Sequence, residues 1–248
     1  MSLTDRLDLS GRTILITGAA AGIGAATARA AVARGAAAIL VDIDDAGVRD
    51  LTTQLEAQAR VCDIADFAAV QALADATGPV DLLVNAAGNL SSSPFLQLTR
   101  EEWDGVLASH VKSVFNTCRV FLPGMAERRY GRVVNVASVA GKRGGGILGK
   151  TAYAGAKAVV NGLTKALARE LALSGVRVNA VSPGLTDTRR IAALRADPEV
   201  WQRVLAAIPL GRAARPDEVA AAIVFLLSDA SRYMTGTTLN VDGGIAME

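Results

Sequence analysis

Short apolar strands alternate with helical stretches along the whole chain, and this alternation restricts the fold more than any other feature. Thr13 to Thr17 is the first strand, followed by an Ala-rich helix that runs to about Arg34. Further strands are expected at Ala38 to Val41, Arg60 to Cys62, Asp81 to Val84, Arg132 to Ala137, Val176 to Val181 and Thr238 to Val241. Helical patterns separate them at Asp45 to Gln58, Phe67 to Ala76, Thr99 to Arg128, Thr151 to Leu173 and Pro216 to Ser228. Strands buried on both faces read as continuous apolar runs, so the pattern implies one mainly parallel sheet with helices on both sides. Right-handed crossovers then make it doubly wound, with about seven strands in a single α/β domain over residues 1–248. The irregular stretches Ala140 to Lys150 and Leu185 to Arg215 follow strand ends, where open α/β sheets place ligands.

Composition narrows the function classes. The chain is 51% apolar with only ten aromatic residues, so small side chains must do much of the packing. A net charge of +2, with acids and bases interspersed, offers no basic tract for nucleic acid. No uncharged run reaches the roughly 20 residues that span a bilayer, and the polar segment Met1 to Arg12 lacks a signal-peptide core. Cys62 and Cys118 stand in unrelated contexts and predict neither a disulfide framework nor a metal site. A reducing cytoplasm is the expected location.

The first strand ends in Gly18-Ala19-Ala20-Ala21-Gly22-Ile23-Gly24 and a helix follows directly. Glycines there permit a tight turn and let a pyrophosphate approach the backbone at a helix N-terminus. Asp42 closes the second strand, eighteen residues after Gly24, where a carboxylate accepts hydrogen bonds from adenosine ribose hydroxyls. That charge repels a 2′-phosphate, and Asp44 and Asp45 add to it, so NAD is expected over NADP. Farther along, Tyr153 and Lys157 lie four residues apart in a helical segment and share one face. A nearby ammonium favours a phenolate, which suits acid/base work on an alcohol or carbonyl oxygen.

With these residues the chain resembles the short-chain dehydrogenase/reductase family, in its branch of about 250 residues with a Rossmann-type sheet. Thr17 to Gly24 matches the family's TGxxxGIG coenzyme turn, and Tyr153-x-x-x-Lys157 its catalytic pair. Asp63 matches the acid that meets the adenine ring. Asn85-Ala86-Ala87-Gly88 resembles the segment NNAG, with Ala86 in place of the second Asn. Ser138 falls at the family's catalytic serine. Pro183, Gly184, Thr186 and Thr188 lie in the segment that holds the nicotinamide carboxamide, and Thr235 to Gly244 is also typical of the branch. The resemblance implies that Gly18, Gly22, Ile23, Gly24, Asp42, Asp63, Asn85, Ala86, Gly88, Tyr153, Lys157, Pro183, Gly184, Thr186 and Thr188 bind the coenzyme. One position departs: His110, the only histidine, stands where relatives carry a catalytic Asn. It could hold the same relay water, add a group titrating near neutrality, or only satisfy local backbone.

The implied reaction is reversible hydride transfer between a nicotinamide coenzyme and a secondary alcohol or ketone. Tyr153 serves as general acid/base, Lys157 lowers its pKa and binds the ribose, and Ser138 steadies the substrate oxygen. Ser91-Ser92-Ser93 could line a pocket for hydroxylated substrates, so a polyol, sugar or sugar acid leads, with a 3-oxoacyl thioester as the alternative. The basic residues of the Gly141 to Lys150 loop, with Arg189, Arg190 and Arg195, are expected to be mostly solvated. A coenzyme-binding relative without turnover is a further alternative. A serine hydrolase is excluded by the missing Gly-x-Ser-x-Gly elbow and the helical setting of the sole histidine. The long helices rich in small residues allow close packing between subunits, and the resemblance implies a homotetramer or homodimer built on them.

Overall fold

The computed structural model describes residues 3–146 and 148–247. Seven parallel strands form one sheet: β1 (Thr13–Thr17), β2 (Ala37–Asp42), β3 (Ala57–Val61), β4 (Leu82–Asn85), β5 (Gly131–Val136), β6 (Val176–Pro183) and β7 (Thr238–Val241). Their order is β3-β2-β1-β4-β5-β6-β7. The chain winds outward from β1 to β3, then returns to place β4 on the other side of β1. That reversal leaves a crevice beyond the carboxyl ends of β1 and β4, the position where such sheets bind ligands.

The longer helices are α1 (Gly22–Val32), α2 (Asp45–Gln54), α3 (Phe67–Thr77), α4 (Arg100–Leu107), α5 (Ser113–Glu127), α6 (Thr151–Leu171), α7 (Pro198–Ala206) and α8 (Pro216–Leu227). Strand side chains alternate between two cores, as a period of two requires. Ile14, Ile16, Leu82 and Val84 face one layer with Ala28 and Ala31 of α1 and Val219 and Ile223 of α8. Leu15, Leu83 and Val133 face the other with Phe121, Leu122 and Met125 of α5 and Val160 of α6. All these side chains are buried, which is why the strands read as unbroken apolar runs.

Three local features differ from the sequence pattern. The helix expected to reach Gln58 stops at Gln54, and Ala57 already pairs with Ala38 of β2. Strand pairing there overrides helix propensity. The region Thr99 to Arg128 is not one amphipathic helix, because a π-helical stretch, Ala108–Lys112, separates α4 from α5 and carries His110. The segment expected to be irregular after Leu185 contains α7, whose start is marked by Asp197 capping Glu199 and Val200, with Pro198 in its first turn.

Candidate active site

A cleft of about 840 Å³ crosses the carboxyl ends of the central strands. It is lined by Gly18, Gly22, Ile23, Gly24, Asp42, Asp63, Ala86, Gly88, His110, Ser138, Tyr153, Lys157, Pro183, Gly184, Thr186 and Thr188. Folding thus brings all but one of the candidate residues to one surface. Asn85 is the exception. Its amide donates to Asn135 Oδ1 at 2.9 Å and its carbonyl accepts from Thr117 Oγ1 at 2.8 Å. Asn135 continues the chain of contacts to Thr164, so Asn85 joins a buried polar ladder linking β4 and β5 with α5 and α6. Its side chain is thereby engaged in holding the sheet end.

The glycine turn is held by its neighbours. Thr17 Oγ1 donates to Val84 O and accepts from Ala86 N, tying β1 to β4 at the crevice. Thr17, the first residue of the TGxxxGIG match, thus acts as a tie between strands. Gly18 has φ +67°, and a Cβ there would sit 2.7 Å from the Ala87 backbone. At the start of α1, Ala21 supplies no capping side chain, so first-turn N–H groups remain available for an anionic group. Asp42 accepts from Ala20 N at 3.0 Å and Asp44 N at 3.1 Å, one bond to each oxygen. Further acceptor capacity remains on both oxygens for ribose hydroxyls. Capping of α2 falls to Asp44, which accepts from Gly47 N. These features fit a dinucleotide: Gly22, Ile23 and Gly24 would hold its pyrophosphate and Asp42 its adenosine ribose.

Around Tyr153 the electrostatics are set by burial, by Ser138 and by Arg190. Burial raises the phenol's pKa, while a hydrogen bond with Ser138 and the charge of Arg190 pull it down. Ser138 Oγ in turn accepts from Ala140 N at 3.2 Å, which fixes its position at the end of β5. Lys157, expected to lower that pKa, lies beside the ring. Lys157 Nζ lies 5.8 Å from the Tyr153 ring centroid and donates to Val136 O at 2.6 Å. Its own pKa is lowered to about 7 by burial and by Arg190, so at neutral pH it carries only part of a charge.

His110 is buried inside the π-helical stretch, with its ring edge-on to Tyr153 at 5.2 Å between centroids. Its Nε2 meets Asn89 O, and because a carbonyl only accepts, Nε2 carries the proton. Gly88, at φ +144°, packs so closely that any Cβ would overlap the His110 ring. Burial and the charge of Lys157 lower the imidazole pKa to about 3. Burial therefore favours the neutral ring and weighs against a group titrating near neutrality. The linkage has a definite sign: an unfolded histidine takes up a proton near 6.5, whereas the folded ring resists it until about 3. Stability associated with His110 is present above pH 6.5 and declines as pH falls toward 3. His110→Asn should flatten that part of the acid-unfolding curve, and wild-type kcat/KM should show no limb near pH 6.5 that the variant lacks. Acid titration by circular dichroism and pH–rate profiles check both; a limb near 6.5 lost in the variant would show a titrating role.

Other expectations for the substrate end are corrected by where the side chains lie. Ser91 is buried and donates to Glu102, and Ser92 donates to Leu148 O, so these serines do not line the cleft. Arg195 pairs with Asp187 outside it. Arg143, Arg189 and Arg190 line the cleft and are exposed, as expected of them. Ile147, in the loop before Tyr153, lies outside the described residues. No helix among the described residues is long and apolar enough to cross a membrane.

Comparison with known proteins agrees with this geometry. A family model described as enoyl-(acyl carrier protein) reductase matches residues 18–246. The 3-oxoacyl-[acyl-carrier-protein] reductase of Vibrio harveyi is 36% identical over 97% of this chain and 100% of its own length. A structure from Beutenbergia cavernae, provisionally named an NAD(P)-dependent gluconate 5-dehydrogenase and holding NADP at low occupancy, superposes with a TM-score of 0.92. It is 38% identical, covering 97% of this chain and 98% of that one. A 3-oxoacyl-[acyl-carrier protein] reductase from Brucella melitensis, with bound NAD, gives 0.88 at 34% identity over 100% of this chain and 97% of that one. The sheet order, the cleft and these matches together show that the chain belongs to the short-chain dehydrogenase/reductase family and is an oxidoreductase of that family.

Proposed function

We propose that this protein interconverts a secondary alcohol and a ketone with NAD as the preferred coenzyme, acting on a polyol, sugar or sugar acid. The observation that carries the reading is the meeting of Ser138, Tyr153 and Lys157 in the same cleft as the glycine turn. A bound nicotinamide coenzyme would supply the two-electron redox chemistry. The protein's own task is to hold the alcohol and move one proton. Tyr153 Oη takes the hydroxyl proton in oxidation and returns it in reduction. Ser138 donates to the same substrate oxygen as negative charge develops on it. Lys157, anchored on Val136 O, is placed to hold the nicotinamide ribose. Preference for NAD is supported by Asp42, Asp44 and Asp63, whose carboxylates sit where a 2′-phosphate would add like charge.

A second reading, reduction of a 3-oxoacyl thioester, is favoured by the relatives that carry that name. A panel of polyols, sugar acids and 3-oxoacyl thioesters, followed by NADH and NADPH absorbance, separates the two. We expect the highest kcat/KM with a polyol or sugar acid, and at least tenfold higher kcat/KM for NAD than for NADP. Preferred turnover of the thioester, or a preference for NADP, would overturn the respective half of the proposal. NADH binding without turnover across the panel would indicate a non-catalytic relative. We also infer a cytoplasmic homotetramer or homodimer. Exposed Phe115 on α5 and Val159 on α6 support contacts between copies on those helices. Sedimentation at micromolar concentration should give a dimer or tetramer, and a monomer would refute it.

A further inference from the structure

Charge is segregated along the cleft. The carboxylates that line it, Asp42, Asp44 and Asp63, belong to the ends of β2 and β3. At the end that carries Ser138 and Tyr153, the lining charges are Lys157, Arg143, Arg189 and Arg190. Among the described residues, no carboxylate lies within ion-pair distance of Arg143, Arg189 or Arg190. Elsewhere on the same lid the pattern is different, since Arg195 pairs with Asp187, and Arg212 and Arg215 pair with Glu218 and Asp217. Arginines that need only solubilise a loop do not have to face a cleft whose opposite end holds all its acids.

Of the three, Arg190 is closest in effect to the reacting groups. It lines the cleft together with Tyr153, Lys157 and His110, and its charge bears on all three. His110 is neutral, and Lys157 Nζ is bonded to Val136 O, so neither is free to balance an incoming anion as fully as a guanidinium. A planar guanidinium also matches a carboxylate in two parallel hydrogen bonds, which fixes orientation as well as adding affinity. We propose that the substrate is a small hydroxy or keto acid, and that Arg190 pairs with its carboxylate while Ser138 and Tyr153 hold the reacting oxygen. This rests on the alcohol/ketone reading above and selects the acid from among its substrates. The three unpartnered arginines would also raise the local concentration of such anions at the cleft mouth.

The test compares wild type with Arg190→Leu, Arg190→Lys and Arg195→Leu, using hydroxy acids and their neutral counterparts. Suitable pairs are lactate with 1,2-propanediol and gluconate with sorbitol. The readouts are kcat and KM for each substrate, KM for NAD, and binding of the same acids to the NADH complex by NADH fluorescence. Wild type should prefer at least one acid over its neutral partner by tenfold or more. Arg190→Leu should lower kcat/KM for that acid roughly 10- to 100-fold, mainly through KM, and bring the acid-to-neutral ratio near unity. Arg190→Lys should recover part of the loss, and Arg195→Leu should behave as wild type. An unchanged ratio in Arg190→Leu would overturn the proposal. So would a rise in KM for NAD in place of the acid, since the guanidinium would then serve a coenzyme phosphate. Arg190-dependent binding of an acid without turnover of any compound would refute the redox reading and leave the anion site standing. Turnover of neutral alcohols, with no saturable acid binding, would do the reverse.

Discussion

Tyr153→Phe should lower kcat by roughly 100- to 10,000-fold, the range expected when a positioned acid/base group is removed. The variant keeps the aromatic ring, so its edge-on contact with His110 and its packing in α6 are retained. Only the hydroxyl is lost, together with its hydrogen bond to Ser138. NADH affinity should therefore stay within a few-fold of wild type, because Gly22, Gly24 and Asp42 are untouched. Stopped-flow turnover with NADH fluorescence titration on the same preparation separates chemistry from binding. Residual kcat within tenfold of wild type would show that another group moves the proton. The pH dependence of the wild type should reflect the opposing effects on Tyr153: burial raises its pKa, while Ser138 and Arg190 lower it.

Gly18→Ala should be strongly damaging to both stability and coenzyme binding. At φ +67° an alanine is strained, and its Cβ would stand 2.7 Å from the Ala87 backbone. Backbone cannot rotate aside as a flexible side chain can, so the two ends of β1 and β4 must separate. The combined cost of strain and overpacking is about 2–4 kcal/mol. For a chain of this size that corresponds to a drop in Tm of roughly 5–15 °C. The same displacement breaks the Thr17 contacts to Val84 and Ala86 and opens the coenzyme cradle, so NADH affinity should fall at least tenfold. Calorimetry and fluorescence titration check both effects. A Tm within 2 °C of wild type, with unaltered NADH binding, would mean that the crevice tolerates the extra methyl group.

Much of this was legible in the residues themselves. The period of the apolar runs specified seven strands and their parallel arrangement, because buried strands and amphipathic helices have different repeats. The glycine turn and Asp42 were readable because each acts through backbone or charge at a fixed place in a βαβ unit. Tyr153 and Lys157 were readable because helical spacing alone puts them on one face. Where neighbours come from distant segments, sequence pattern was a poor guide. Asn85 looked like a ligand contact, but Asn135 and Thr117, fifty and thirty-two residues away, draw it into the core. Ser91 and Ser92 looked like pocket residues, but Glu102 and Leu148 O take their hydroxyls.

The same distinction holds for the charged groups. By itself the sequence determined the fold class and pointed to the glycine turn and to Tyr153 and Lys157 as candidates, since local periodicity and short spacings encode them. Only the tertiary structure decided the electrostatics: His110 buried beneath Gly88, Lys157 with its pKa lowered by burial, and Arg190 brought from the lid to the cleft that holds Tyr153. Ionisation depends on burial and on charges within a few ångströms, and those neighbours meet only when the chain has folded.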